Sequence, residues 1–147
     1  MKINLLIILL GLLTFTSCKN GDESDAHSLD LKVPVVSLDE EASEAVQEWK
    51  GYLELEKDLA LITNTNALNA LDLLDDLAVT SNQMALGIPE SLATPSILKK
   101  VKRIDLEIND FYASVNRSET RERVVQTHIE TLVKAFDTLN KELNRSL

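Results

Sequence analysis

The chain has 147 residues, of which 15 are Lys or Arg and 24 are Asp or Glu, so its formal net charge at pH 7 is −9. A chain this acidic is repelled by the phosphates of nucleic acids, which argues against a nucleic-acid partner. Its single cysteine excludes a disulfide within the fold, and aromatic residues make up only 4% of the sequence. We therefore expect a core packed mainly from Leu, Ile, Val and Ala.

The first 17 residues have the layout of a secretory signal peptide. A lysine at the second position supplies positive charge, and an apolar run extends from Leu5 to Phe15. The run is shorter than the roughly 20 apolar residues that a membrane-spanning helix needs. The small residues Thr16 and Ser17 then precede Cys18, the only cysteine.

This arrangement resembles the lipobox of bacterial lipoprotein signals, in which the cysteine is acylated and becomes the first residue of the mature chain. Phe15 stands where an aliphatic residue is usual in that pattern. The following "CKNGDESD" is similar to the signals that sort some lipoproteins of the Bacteroidota to the cell surface. The resemblance implies acylation of Cys18 and attachment to the cell envelope, at the outer membrane on its periplasmic face or at the cell surface. The alternatives are a cysteine inside an ordinary signal peptide, or a free thiol.

Residues 18–36 are polar and acidic and show no helical period, so they are predicted to form the flexible tether of the lipidated chain. Residues 37–147 are predicted to form one helical domain. Ser37 followed by Glu40 matches a capping box, in which hydroxyl and carboxylate satisfy backbone N–H groups reciprocally. The first helix is therefore predicted to begin there.

Apolar residues continue at helical spacing through the first part of the domain. They are Val46, Trp49, Leu53, Ala60, Ala67, Leu74 and Leu77. The spacing persists across Thr63–Asn66, so residues 38–86 could form one long helix or two. Because Thr and Asn side chains compete for backbone hydrogen bonds, we favour a break at Thr63–Asn66.

A loop follows, with Gly87 predicted to end the second helix and Thr94 with Pro95 to open the third. Two regular apolar stripes, with steps of three and four residues, then predict two long helices. The third helix carries Ile97, Val101, Ile104, Ile108, Phe111 and Val115, and the fourth carries Val125, Ile129, Leu132, Phe136, Leu139 and Leu143.

The last two helices are separated by the polar segment "NRSET", where Asn116 with Ser118 or Glu119 is the predicted cap. The four predicted lengths match in pairs, as the neighbours of a bundle with short loops require. We therefore predict an all-α fold, an up-down-up-down four-helix bundle. The alternative is an elongated three-helix arrangement with one long first helix.

The sequence contains no recognisable catalytic or metal-binding motif. His128 follows Val125 by three residues, where a carboxylate-bridged di-iron site needs glutamate. Asp72, Asp75 and Asp76 lie within about one helical turn, but a helix surface offers fewer oxygen atoms than a hard cation requires. We therefore predict a protein that is not an enzyme and binds no metal or cofactor.

Charge is unevenly distributed along the predicted domain. Residues 37–86 contain eleven acidic residues and two lysines, whereas residues 95–147 contain ten basic and eight acidic residues. A basic cluster lies near the start of the third helix and consists of Lys99, Lys100, Lys102 and Arg103. Either the cluster pairs with the three aspartates of the second helix, or it docks a partner. The first interpretation is favoured, because exposed ion pairs are common.

The tripeptide Asp137–Leu139 resembles the short O-glycosylation acceptor of the Bacteroidota, with Thr138 as the acceptor. The match covers three residues. It further requires that the Thr138 hydroxyl be accessible on a helix.

These features favour a membrane-anchored envelope lipoprotein that acts as a non-enzymatic helical interaction or scaffolding module. Its partners would be the membrane, through the N-terminal lipid, and another envelope protein. The alternative is a periplasmic or surface sensor of ligands or metal stress. That alternative requires a cleft between helices, or a cation site at the aspartates.

Mass spectrometry of the chain from a membrane fraction tests the lipidation. We expect a mature N-terminus at Cys18 carrying an acyl mass. Because several buried acyl chains anchor a protein durably, the acylated chain should stay in the membrane fraction. The Cys18→Ala variant should leave the membrane fraction. A native chain that begins elsewhere and carries no acyl mass would contradict the prediction.

Overall fold

The computed structural model describes residues 29 and 31 and segments 33–115 and 121–147. In chain order its elements are α1 (Glu40–Ala45), α2 (Lys50–Thr63), α3 (Ala67–Asp72), α4 (Leu74–Leu86), a 3₁₀ helix (Glu90–Leu92), α5 (Pro95–Val115) and α6 (Glu122–Ser146). The predicted all-α class is confirmed for these residues. Among the described helices, none combines the length and the apolar character that crossing a bilayer requires.

Several sequence predictions concern residues outside the described part of the chain. They are the signal peptide 1–17, the lipidated Cys18 and the cap of the last helix at Asn116 with Ser118 or Glu119. In the described residues, the last helix begins at Glu122, directly after Arg121.

The start of α1 differs from the predicted capping box. Asp39 is the N-cap, and its Oδ1 accepts a hydrogen bond from the Ala42 N–H at 3.0 Å. Ser37 lies two residues before this N-cap, and its carbonyl oxygen accepts a hydrogen bond from Asn144 Nδ2 at 3.0 Å. The prediction that Ser37 and Glu40 form the cap is therefore wrong, although a helix does begin at Glu40.

The chain turns between α1 and α2, where the apolar spacing predicted an uninterrupted helix. Trp49 precedes α2, is fully buried, and donates from Nε1 to the Met84 carbonyl oxygen at 2.8 Å. A buried indole needs such an acceptor. The acceptor belongs to α4, 35 residues along the chain, so no local pattern could indicate this turn.

The predicted break at Thr63–Asn66 is confirmed, and Asn side chains make it. Asn64 Nδ2 donates to the Ala60 carbonyl oxygen at 2.7 Å, and Asn66 Oδ1 accepts from the Asn69 N–H at 3.0 Å as the N-cap of α3. One continuous first helix is therefore excluded. A second interruption, at Leu73 between α3 and α4, was not predicted.

The loop after α4 and the start of α5 agree with the sequence prediction. Helix α4 ends at Leu86 with Gly87 as its C-cap, and the φ of Gly87, −100°, lies outside the left-handed region. Thr94 Oγ1 accepts from the Ile97 N–H at 3.3 Å, and α5 begins at Pro95. The apolar stripes of α5 and α6 are buried except for Val115, which is half-buried.

Neighbouring helices pack α2 on α4, α4 on α5 and α5 on α6, and α6 also contacts α1, α2 and α3. A close approach joins the start of α2 to the end of α4. A Cβ added at Gly51 would lie 2.2 Å from the Met84 backbone nitrogen. Only a residue without a side chain allows the two helices to come this close.

We predict that Gly51→Ala destabilises the domain, because the clash is with backbone atoms that cannot rotate away. The cost should be about 2 kcal/mol or more of unfolding free energy. It outweighs the gain of about 1 kcal/mol that alanine brings to a helix interior. Urea unfolding measures the difference.

Gly87→Ala is the matched control, since Gly87 is exposed and the nearest atom to an added Cβ there is the Gln83 carbonyl oxygen at 3.1 Å. Its effect should stay below about 1 kcal/mol. Equal effects of the two substitutions would contradict the proposed close packing of α2 on α4.

Candidate functional site

The predicted basic cluster lines a groove between α5 and α6, which we call the basic groove. The groove has a volume of about 470 Å³. All four residues of the cluster, Lys99, Lys100, Lys102 and Arg103, line it. Lys134 and Thr138 line it from α6, and Leu106 and Ala135 add apolar surface.

Positive charge in the basic groove is only partly neutralised. Arg103 pairs with Glu107, whose carboxylate is buried one turn further along α5. No carboxylate of the described residues forms an ion pair with Lys99, Lys100, Lys102 or Lys134. The groove therefore carries unpaired lysines on a chain whose overall charge is strongly negative.

The favoured interpretation of the basic cluster, pairing with the aspartates of the second predicted helix, is wrong. Asp75 accepts a hydrogen bond from Tyr112 Oη at 3.1 Å, close to the end of α5. The cluster occupies the opposite half of α5, about 14 Å or more away at 1.5 Å per residue. Asp72 and Asp76 are exposed, and the described residues hold no group of three or more potential metal ligands.

Thr138 is exposed, and its hydroxyl donates to the Lys134 carbonyl oxygen at 2.8 Å. Its neighbours in the tripeptide, Asp137 and Leu139, are both buried. An enzyme acting on the folded helix would therefore reach the threonine alone. Glycosylation at Thr138 stays a prediction.

His128 is half-buried at the edge of the core. Its ring stacks on Phe111 with a centroid distance of 5.2 Å and an interplanar angle of 7°. No hydrogen bond or ion pair joins it to another described residue. The imidazole thus serves packing at this position.

A polar contact that the sequence did not indicate joins the segment before α1 to helix α6. We call residues Val33–Asp39 the strap. The Val36 N–H donates to Asp137 Oδ1 at 2.9 Å, and Asn140 Nδ2 donates to the Val36 carbonyl oxygen at 2.9 Å. Both polar groups of one strap residue are thus bound by α6 side chains.

Asn144 continues this contact one turn further along α6. Its Oδ1 accepts from the Asp39 N–H at 3.1 Å, and its Nδ2 donates to the Ser37 carbonyl oxygen at 3.0 Å. Asp137, Asn140 and Asn144 are three and four residues apart, so they share one face of the helix. The strap therefore runs along α6 in the same direction as that helix.

Leu29 also packs with the domain. Its side chain is buried, and its N–H donates to the Thr65 carbonyl oxygen at 3.0 Å. Leu31 and Val33 are half-buried against the same core. The described residues that pack with the helices therefore begin before residue 37.

A second groove lies between the strap, α1, α2 and α6, and we call it the strap-lined groove. Its volume is about 570 Å³. Tyr52 and Phe136 lie in its floor, with their rings stacked at a centroid distance of 5.2 Å. Tyr52 Oη donates to Asn140 Oδ1 at 2.9 Å, which connects the floor to the strap.

Two ionisable groups near the strap have shifted pKa values. Burial raises the pKa of Tyr52, and the nearby charge of Glu56 raises it further. The hydrogen bond with Asn140 lowers this pKa by a smaller amount. For Asp137, burial acts to raise the pKa. Hydrogen bonds from Lys141 Nζ and the Val36 N–H outweigh burial and hold the pKa below its usual value.

No family model, curated protein or solved structure matches this chain significantly. The two grooves and the strap contacts are therefore interpreted from their own residues.

We predict that Asp137→Asn weakens the domain at neutral pH but much less in acid. The folded-state pKa of Asp137 lies below the unfolded value of about 3.9, so its charge stabilises the fold above about pH 4. This stabilisation is lost as the pH falls through the folded-state value. The expected cost is about 1 to 2 kcal/mol at pH 7.

Urea unfolding at pH 7, 5 and 3 measures the cost, with Asp72→Asn on the exposed face of α3 as the control. A cost that stays constant over this range would contradict the role of the Asp137 charge.

Proposed function

We propose that the chain is a lipid-anchored protein of the bacterial cell envelope. Its helical domain binds another envelope protein through the basic groove and catalyses no reaction. The observation that carries the proposal is the set of unpaired lysines in this groove. The resemblance at Thr16–Cys18 supports the anchor and the envelope location, at the outer membrane on its periplasmic face or at the cell surface.

The charge of the groove indicates the chemistry of the partner. Lysines concentrated on an otherwise acidic chain attract and orient an acidic segment, and like charge elsewhere on the surface disfavours other orientations. Leu106, which is 45% exposed, and Ala135 offer apolar contact within the same groove. An acidic segment with a few apolar side chains fits both features.

For the finer topology, we propose an up-down-up-down four-helix bundle in which α3 and α4 together occupy the second position. Three contacts support it. The start of α2 lies at the end of α4 (Gly51 with Met84), and the start of α4 lies near the end of α5 (Asp75 with Tyr112). The end of α5 stacks on the first half of α6 through Phe111.

The anchor would hold the domain close to the lipid surface. Leu29, the first described residue, lies eleven residues after Cys18. At about 3.5 Å per extended residue, the domain stays within about 40 Å of the acyl chains. This distance suits contact with another envelope protein.

A ligand sensor is the second candidate, and the strap-lined groove is the observation that favours it. A sensor requires a cleft between helices, and this groove is bounded by α1, α2 and α6. The metal-stress form of the hypothesis has no corresponding cluster in the described residues.

Crosslinking in intact cells, followed by purification from membranes, tests the interaction. We predict that the native chain recovers a partner in constant proportion. The double variant Lys102→Gln with Lys134→Gln should recover at least about fivefold less, since charge pairs across an interface govern association. Raising the salt concentration during capture should weaken recovery in the same direction.

The matched control is Lys50→Gln with Lys57→Gln, which changes the net charge equally on α2, away from the groove. Its recovery should equal that of the native chain. Equal loss in both double variants, or no partner after repeated capture, would contradict the proposed docking surface.

A further inference from the structure

The strap-lined groove has the form of a small-molecule site. Its volume of about 570 Å³ lies within the range of about 300 to 1,000 Å³ that is common for such sites. The floor is apolar and includes Leu59, Val133 and Phe136, which are all buried. Val35 and Val36 of the strap form one wall and are 42% and 38% exposed.

This wall is held in place by hydrogen bonds to α6. Val36 is hydrogen-bonded through both its N–H and its carbonyl oxygen to side chains of α6, and Ser37 is bound by Asn144. A groove with a fixed wall binds without first ordering a loop, so the entropic cost of binding is small.

Few of the residues that line the strap-lined groove are ionisable. Among the described residues that line it, the ionisable side chains are Glu56 and Tyr52, and none is Lys, Arg or His. The Tyr52 hydroxyl is bound to Asn140, and its raised pKa keeps it neutral. Glu56 therefore supplies the only formal charge of this lining, and that charge is negative.

Glu56 is free to bind a ligand. It lies exposed at the rim, and no hydrogen bond or ion pair joins it to another described residue. Glu56 follows Tyr52 by four residues on α2, so the two side chains share one face of the helix, and the Glu56 charge contributes to the raised pKa of Tyr52. The exposed Ser43 and Gln47 add polar atoms on the α1 side of the same rim.

We propose that the strap-lined groove binds an organic ammonium ion, with the apolar part of the ligand on the floor and the charged nitrogen beside Glu56. An anionic amphiphile would bring its head group toward Glu56 and meet no cation in the described lining. This proposal does not depend on the lipid anchor or on the basic groove, so it can fail while the proposed function stands.

Three amphiphiles with one chain and different head groups test the proposal. Decyltrimethylammonium, decyl maltoside and decyl sulfate are titrated below their micelle concentrations into the full chain carrying Cys18→Ala, which leaves no acyl chain to compete. Calorimetry gives the affinities. We expect the cation to bind about fivefold more tightly than the neutral compound, and the anion more weakly than both, as a partly exposed charge pair allows.

Glu56→Gln should bring the cationic and neutral compounds to within about twofold of each other. Glu54→Gln is the matched control, because Glu54 lies on the same helix, does not line the groove, and changes the net charge equally. It should preserve the native preference. Both glutamates are exposed, so neither variant removes a buried group.

Methyl resonances locate the bound amphiphile, with Val133 reporting on the strap-lined groove and Ala135 on the basic groove. The proposal predicts shifts at Val133. Equal affinities for the three head groups, a cation preference that survives Glu56→Gln, shifts confined to Ala135, or no binding would each overturn it.

Discussion

The side-chain amide of Asn140 is the contact on which the arrangement of both grooves depends. Asn140 is 1% exposed, accepts from Tyr52 Oη of α2 and donates to the Val36 carbonyl oxygen of the strap. A buried amide left without partners costs about 1 to 3 kcal/mol, so these bonds fix the rotation of α6 about its axis. With Asn140 facing the strap, Thr138 lies about 160° and Lys134 about 120° around the helix, at about 100° per residue. Both residues line the basic groove.

The two faces of α6 therefore border grooves of opposite charge. The strap-lined groove is apolar with a single carboxylate at Glu56, and the basic groove contains Lys99, Lys100, Lys102 and Lys134. The proposed partner and the proposed small cation would therefore lie on different faces of α6. Their separation across α6 would allow both to bind together.

The sequence predicted those parts of the fold that local chemistry decides. Helices α5 and α6 follow from regular apolar spacing, and the break near Asn66 follows from side chains that cap their own backbone. The turn before Trp49 depends on a carbonyl group of α4 and leaves the apolar spacing intact, so it gave no signal.

The candidate sites show the same difference between features that neighbouring residues determine and features that distant contacts determine. The basic cluster was visible because its residues are adjacent in the sequence, but its supposed pairing with Asp75 was wrong, since Asp75 lies by the end of α5. No sequence pattern indicated the strap contacts, because the residues that bind the strap are 101 to 107 positions away.

Amide hydrogen exchange tests the central claim, that the strap is part of the fold. We expect the Val36 N–H to be protected about 100-fold or more, as in the adjoining helices. Exchange of Val36 at the rate of an unstructured chain, while α6 stays protected, would contradict it.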